Sequence, residues 1–403
     1  MSWLKKKLQQ EVLDSIDLTS EITDEELLET IDEILVVKSR ENYISLNEKR
    51  RLRKDIFNSI RKLDVLQELI EDPTITEIMV NGAKDIFIEQ KGVISRYDKC
   101  FESDEKLEDV VQQMVSQANR IVNASSPIVD SSLSDGSRVN IVLPPIALNG
   151  PVITIRRFPE NPITIDQLIE YESITTEAAG FLEKLVVSKY NIFISGGTGS
   201  GKTTFLNVLS NYIPHNERII TIEDSAELQI RNIPNLVRME VRNGNTEGDN
   251  QIAIRDLIKT SLRMRPDRII VGEVRDEAAI DMLQALNTGH DGSLSTGHAN
   301  SPSDMLSRLE SLVLLGADIP LMAVRRQIAS ALDLVVHLGR LRDKSRRVLE
   351  ITEVLDLKDG EIYLNPLYKF IELGEENGKI IGSLNKVGNL KFTDKLSRAG
   401  IKL

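Results

Sequence analysis

One stretch confines this chain to a narrow set of folds. The apolar segment Asn191–Ser195 runs into Gly196-Gly197-Thr198-Gly199-Ser200-Gly201-Lys202-Thr203, and a helical pattern, Thr204–Leu209, follows at once. Strand, glycine loop and helix together match the full P-loop pattern. The glycines let the backbone wrap phosphates, with N–H groups pointing inward at a helix N-terminus that already favours anions. The expected phosphate-binding set is therefore Gly196, Gly197, Thr198, Gly199, Ser200, Gly201, Lys202, Thr203 and Thr204. In such a loop the lysine reaches the β- and γ-phosphates of ATP and the Thr203 hydroxyl ligates Mg²⁺. A glycine-rich turn with no ligand needs none of this context.

Around the loop, apolar strands alternate with helices. Candidate strands are Asn191–Ser195, Arg218–Glu223, Arg268–Val271, Leu294–Thr296 and Leu334–Leu338. Near-continuous runs such as Ile219–Ile222 suit parallel strands buried on both faces, and the alternation predicts a doubly wound α/β sheet. Two of these strands end in carboxylates, Glu223 and Glu273, at the edge where such sheets bind ligands. Hydrolysis needs one carboxylate to orient or deprotonate water and an acidic group near the metal. Either residue alone could be an N-cap or a surface charge; behind a P-loop the pair points to catalysis. Glu273, with Thr203, is the expected metal-ligating pair. His290 and His298 recur in Thr-Gly-His triplets eight residues apart. Neither has a cysteine or another histidine within seven residues, which argues against zinc. One or both can sense the γ-phosphate or link the site to a moving interface; a satisfied core histidine is the alternative.

Composition narrows the function classes. Lys and Arg number 50 against 62 Asp and Glu, a net charge of -12. A duplex-DNA binder usually carries a basic excess, so nucleic acid is not the expected partner. The single cysteine, Cys100, cannot form an internal disulfide and reads as a small core residue in a reducing compartment. No apolar run reaches the ~18 residues of a membrane span, and Met1–Lys7 lacks the apolar core of a signal peptide. The expected location is cytoplasmic, with any membrane association indirect.

Upstream, three regions follow one another. Residues 1–70 read as helices, with Leu4, Leu8 and Val12 every fourth residue and capping boxes at Thr23/Glu26 and Ser45/Glu48. Ten acidic residues and no basic one lie between Glu11 and Glu33, while five of the six residues Lys49–Lys54 are basic. Such segregation fits solvated helix faces or a docking surface for protein or lipid headgroups. Residues 71–160 read as α+β: strands at Thr76–Val80 and Asp85–Tyr97 (turning near Lys91-Gly92), a helix over Asp104–Val122, then short strands around Asp135-Gly136, at Arg138–Leu143 and at Val152–Phe158. Pro159 and Pro162 flank a linker to the region 161–403. The last forty residues are mixed in pattern. Arg138, Arg156 and Arg157 read as ordinary surface arginines on these grounds alone.

The segments DPTITEIMVNG, LSDGSRVNIVLPP, ITIRRFP, GGTGSGKTT, TIEDSAEL, RPDRIIVGEVRDEAA and NTGHDGSLSTGHANSP occur in that order. In this combination the chain resembles the secretion ATPases of the type II/type IV superfamily, and within it the CpaF branch that powers Flp (tight-adherence) pilus assembly. The resemblance covers about Asp72 to Ile351. It implies a RecA-like P-loop ATPase domain preceded by a smaller PAS-like α+β domain and an N-terminal helical region, assembled as a homo-hexamer. It implies ATP hydrolysis, with Mg²⁺, coupled to pilin polymerisation or export through an inner-membrane platform protein. By motif matching, Glu223 and Glu273 become catalytic carboxylates, His290 and His298 the histidine-box pair, and Arg138, Arg156 and Arg157 the arginines that close over nucleotide. Two departures stand out: Gly297 occupies a place where an apolar residue is more usual, and the tetracysteine zinc module of some type II secretion ATPases is absent. The rival expectations are a retraction or conjugation-type ATPase, a helicase-like nucleic-acid motor, and an ATP-binding regulator without turnover.

Overall fold

The computed structural model describes residues 2–16, 22–41, 43–90, 92–118, 120–157, 162–242 and 251–403. The chain forms two compact units, Met1–Glu160 and Asn161–Leu403. Among the described residues no helix is long and apolar enough to cross a membrane.

The first unit begins with four helices: α1 (Ser2–Ser15), α2 (Asp24–Glu41), α3 (Leu46–Arg61) and α4 (Val65–Glu71). The every-fourth pattern of α1 is explained by burial: Leu8 and Val12 pack with Leu27, Ile31, Leu35 and Ile56 in one small core. Both capping boxes form. Glu26 N donates to Thr23 Oγ1 (3.2 Å) and Thr23 N to Glu26 Oε2 (2.8 Å); Ser45 and Glu48 repeat the exchange. Then come β1 (Ile75–Asn81), β2 (Asp85–Gln90), β3 (Val93–Arg96), α5 (Asp104–Gln117), β4 (Ile128–Ser132), β5 (Arg138–Val142) and β6 (Val152–Arg156). The six strands lie in the order β3-β2-β1-β6-β5-β4, every pair antiparallel.

Several local expectations need correction. Asp135-Gly136 is no strand but the turn of the β4–β5 hairpin, where Gly136 takes a φ of 86° and Asp135 Oδ1 accepts from Ser137 N at 2.9 Å. The helix α5 ends at Gln117, short of Val122. Cys100 is exposed rather than a core residue. Lys91, Phe158 and Pro159 lie outside the described residues.

The second unit contains α6 (Ile165–Glu170), α7 (Thr176–Val187), β7 (Ile192–Gly196), α8 (Lys202–Ser210), β8 (Ile219–Glu223), β9 (Leu236–Glu240), α9 (Ile254–Ser261), β10 (Arg268–Val271), α10 (Ala278–Asn287), β11 (Leu294–His298), α11 (Pro302–Gly316), α12 (Leu321–Ala331), β12 (Leu334–Arg340), β13 (Arg346–Lys358), β14 (Glu361–Glu376), β15 (Lys379–Lys386) and α13 (Asp394–Arg398). Its nine strands run in the order β15-β14-β13-β12-β7-β11-β10-β8-β9. From β12 to β9 every pairing is parallel; from β12 to β15 every pairing is antiparallel. Separate apolar cores cover the two faces, one built on α7 and α8 and the other on α9 to α12. That is why β7, β8 and β10 are buried at every position and read as unbroken apolar runs. The mixed C-terminal region supplies β14 and β15, which widen the sheet.

One ion pair is sealed inside. Arg268, fully buried, donates to both oxygens of Glu217 (2.6 and 2.9 Å) and to Val186 O (2.6 Å). Gly292 makes room for it, because a Cβ there would stand 2.6 Å from Arg268 Nη1.

Candidate active site

The central strand β7 delivers the glycine loop to the carboxyl edge of the sheet. Gly196 passes so close to β12 that a Cβ would lie 2.4 Å from Leu338 O. Gly199 and Gly201 have φ of 71° and 93°, the left-handed region that favours glycine. Gly201 caps α8, so the first N–H groups of that helix face the loop. Lys202 folds back into the loop, with Nζ 3.0 Å from Gly197 O, and is buried. Burial lowers the pKa of its ammonium, and the Glu273 carboxylate opposes that shift. Beneath the loop, Ser195 Oγ lies 2.9 Å from His337 Nδ1, tying β7 to β12.

Neighbouring strands bring the acidic groups to the same edge. Lys202 Nζ approaches His298 Nδ1 at 3.3 Å, and His298 Nε2 stands 3.0 Å from Glu273 Oε1. The second approach is close enough for an ion pair but is not aligned as a hydrogen bond, so that buried oxygen keeps an open lone pair. Arg275 bridges Glu273 Oε2 (3.1 Å) and Asp224 Oδ2 (3.2 Å). Burial and the Lys202 ammonium lower the His298 pKa, which favours a neutral imidazole at neutral pH. Gly297 is explained by packing: a Cβ there would lie 3.0 Å from both Met305 Cε and Phe193 Cε1.

Glu223 is buried at the end of β8. Its Oε2 accepts from the backbone N–H groups of Glu227 and Leu228, both at 2.8 Å, and its Oε1 has no partner. Burial pushes its pKa up to about 7, against those two hydrogen bonds. In the unfolded chain the group titrates near 4.5, so the folded state holds the extra proton between these values. The stability this proton confers is complete below pH ~4.5 and is lost as pH rises through ~7, on the order of 3 kcal/mol in all. Thermal melts across that window should show wild type losing several degrees relative to Glu223→Gln, which cannot ionise. Parallel curves for the two proteins would refute the assignment.

The other expected residues have surroundings of their own. His290 precedes β11 whereas His298 ends it, so the two fall at opposite ends of that strand. His290 Nδ1 donates to Ala285 O (3.1 Å) at the end of α10. Arg138 and Arg156 are directly opposite each other on β5 and β6, and Glu77 flanks Arg156 on β1. Arg156 is exposed. Arg157 is committed locally: its Nη1 donates to Asp72 O and, at 3.3 Å, to Ile75 O. Sequence reasoning missed two arginines. Arg275 lies two residues beyond Glu273 in the segment RPDRIIVGEVRDEAA, a spacing that could have flagged it. Arg346, whose Nε donates to Gly199 O at 2.8 Å, comes from β13 and carries no local signal.

The family described as type II/IV secretion system protein matches residues 60–369. Conjugal transfer protein TrbB of Rhizobium radiobacter is 34% identical over 307 residues, covering 73% of this chain and 90% of that protein. Protein VirB11 of Agrobacterium fabrum is 33% identical over 304 residues, covering 68% of this chain and 87% of that protein. Among solved structures, the X-ray structure of the Legionella pneumophila ATPase DotB aligns with a TM-score of 0.51 at 21% identity, over 72% of this chain and 79% of that one. This last likeness speaks for the fold, an α/β RecA-like domain preceded by a smaller N-terminal domain.

Proposed function

From the premise that the chain belongs to the type II/IV secretion system protein family, we propose that it is a motor ATPase: a homo-hexamer that hydrolyses ATP and passes the resulting movement to a filament or export machine. The observation that carries this reading is the unbroken line from Lys202 through His298 to Glu273 at the mouth of a glycine loop. Gly196 to Thr204 hold the phosphates. The donor set fits a nucleotide with its metal, because the half-exposed Thr203 hydroxyl opens α8, Glu223 Oε1 has no partner, and Glu273 Oε1, though 3.0 Å from His298 Nε2, accepts no aligned hydrogen bond. Mg²⁺ held by Thr203 and Glu273 would neutralise charge on the phosphate oxygens. Glu273 orients the attacking water, with His298 holding its carboxylate in place. Glu223, with a pKa about 7, takes or shares the water's proton.

The work itself is export or pilin polymerisation at the inner face of the cell membrane, through an inner-membrane platform protein. The Flp/tight-adherence assignment follows the CpaF resemblance. The name of TrbB favours a second reading, a conjugation-type machine. Nucleic acid is not proposed as a partner, in keeping with the net charge of -12. The purified chain should hydrolyse ATP only with Mg²⁺, at a rate per protomer that rises with concentration as rings assemble. Tight ATP binding without turnover at any concentration would make it a regulator instead; stimulation by single-stranded DNA would revive the nucleic-acid motor.

Arg138 and Arg156 are proposed to meet nucleotide charge from the first unit of an assembled ring. Glu77 already stands opposite Arg156 on β1, so the proposal rests on the resemblance of these positions to the arginines that close over nucleotide. Arg156→Ala should therefore lower turnover about tenfold, the loss of one charge-assisted hydrogen bond, with ATP affinity near normal. Arg157→Ala should instead lower the melting temperature, since it strips the Asp72 and Ile75 carbonyls of their donor. Separate measurements of affinity and turnover on assembled protein decide this: unchanged turnover in Arg156→Ala ends the role.

A further inference from the structure

Arg346 flanks the glycine loop on the side away from Glu273. Its Nε bond to Gly199 O places it against the loop tip, and its Cδ lies 3.6 Å from where a Cβ on Gly201 would stand. The backbone beneath is pinned: Ser173 Oγ donates to Arg346 O and Val348 N to Ser173 O, both at 2.8 Å. The guanidinium is exposed, and its two Nη groups have no bond to the described residues. One donor is thus spent on fixing the group to the loop, and the others remain available.

Sheet order says what belongs on that flank. β7 stands between β11 and β12. Glu273, His298 and Glu223, the groups able to act on a water, all follow or end strands on the β11–β10–β8 side. The terminal phosphoryl group of a nucleotide must face them, so the remainder leaves the loop toward β12 and β13, where Arg346 sits. Resting on the nucleotide reading above, we propose that Arg346 is a second phosphate-binding cation that grips the diphosphate portion shared by ATP and ADP. Lys202 serves the β- and γ-phosphates from the other side of the loop. Guanidinium suits the task because its planar fork matches phosphate oxygens while a third N–H stays on the loop carbonyl. Because the grip survives hydrolysis, it retains ADP and slows product release.

The test is nucleotide affinity of the full chain, measured with ADP and with ATP in Mg²⁺. Arg346→Ala should weaken both by about tenfold or more and by the same factor. KM should rise with kcat held or increased, the signature of uniform binding. The salt dependence of ADP binding should flatten as a charge pair is lost, and Arg346→Lys should restore part of the affinity. ADP affinity within twofold of wild type in Arg346→Ala overturns the proposal, as does a loss confined to ATP. A fall in kcat with KM unmoved also overturns it, because the arginine would then only shape the loop. Wild-type protein that binds neither nucleotide would sink the nucleotide reading itself, a result distinct from any of these.

Discussion

Lys202→Ala should show no measurable turnover and no nucleotide-dependent rise in melting temperature. The ammonium is buried, with one loop carbonyl and one imidazole nitrogen as neighbours. Burial already lowers its pKa, which means the charged form lacks full compensation within the protein alone. A phosphate supplies that compensation, so much of the binding free energy resides in this one charge. Removing the side chain from the folded protein removes a desolvated cation and no strong ion pair. The apo variant should melt at or above the wild-type temperature while losing ligand stabilisation, the reverse of what a folding defect produces. Lys202→Arg should not rescue, since a planar fork does not fit the space of a compact ammonium folded against Gly197. Titration with ATP and a phosphate-release assay on the same samples check it: wild-type rates in Lys202→Ala would remove this loop from the mechanism.

The parts of the molecule legible in the sequence share one physical cause. Strands β7, β8 and β10 are buried on both faces, so their sequences carry the constraint as continuous apolar runs, and the residues at their ends inherit a known edge. Glu223, Glu273 and the loop were therefore placeable without coordinates. His298 reached the same edge because it ends β11; its twin triplet around His290 looks equivalent in sequence but sits before the strand, where a five-residue element carries it to the other side. The C-terminal strands were illegible for the opposite reason. β14 is half exposed, pairs with register shifts on both sides, and has no clean alternation to read. Arg346 belongs to that poorly patterned region and meets Gly199 from 147 positions away in sequence. No local pattern records such a contact. Cys100 shows a limit of composition: residue type alone places a lone cysteine in the core, yet it lies on the surface beside Asp98 and Lys99.

Glu273→Gln should still bind ATP and hydrolyse it roughly a hundredfold more slowly, the loss expected when a water-activating carboxylate is neutralised. The amide keeps the shape and the Arg275 side of the contact, so the edge of the sheet should stay in place. What disappears is the negative charge, which in the wild type repels the phosphates but also attracts the Mg²⁺ it is proposed to hold, so the two effects on affinity oppose each other. His298 also loses the one neighbour that raises its pKa, leaving burial and Lys202 to hold it neutral. Glu223→Gln provides the comparison that separates the two carboxylates. Its backbone hydrogen bonds anchor the Glu227–Leu228 turn through Oε2, and its pKa about 7 makes its ionisation fall within the working range. If Glu223 takes the proton, wild-type kcat should climb as pH passes 7, and Glu273→Gln should retain that climb at a lower level. Glu223→Gln should lose the climb altogether. Rates measured from pH 6 to 8.5 on all three proteins distinguish the roles; normal turnover in both variants would mean that the water is activated by groups other than these two.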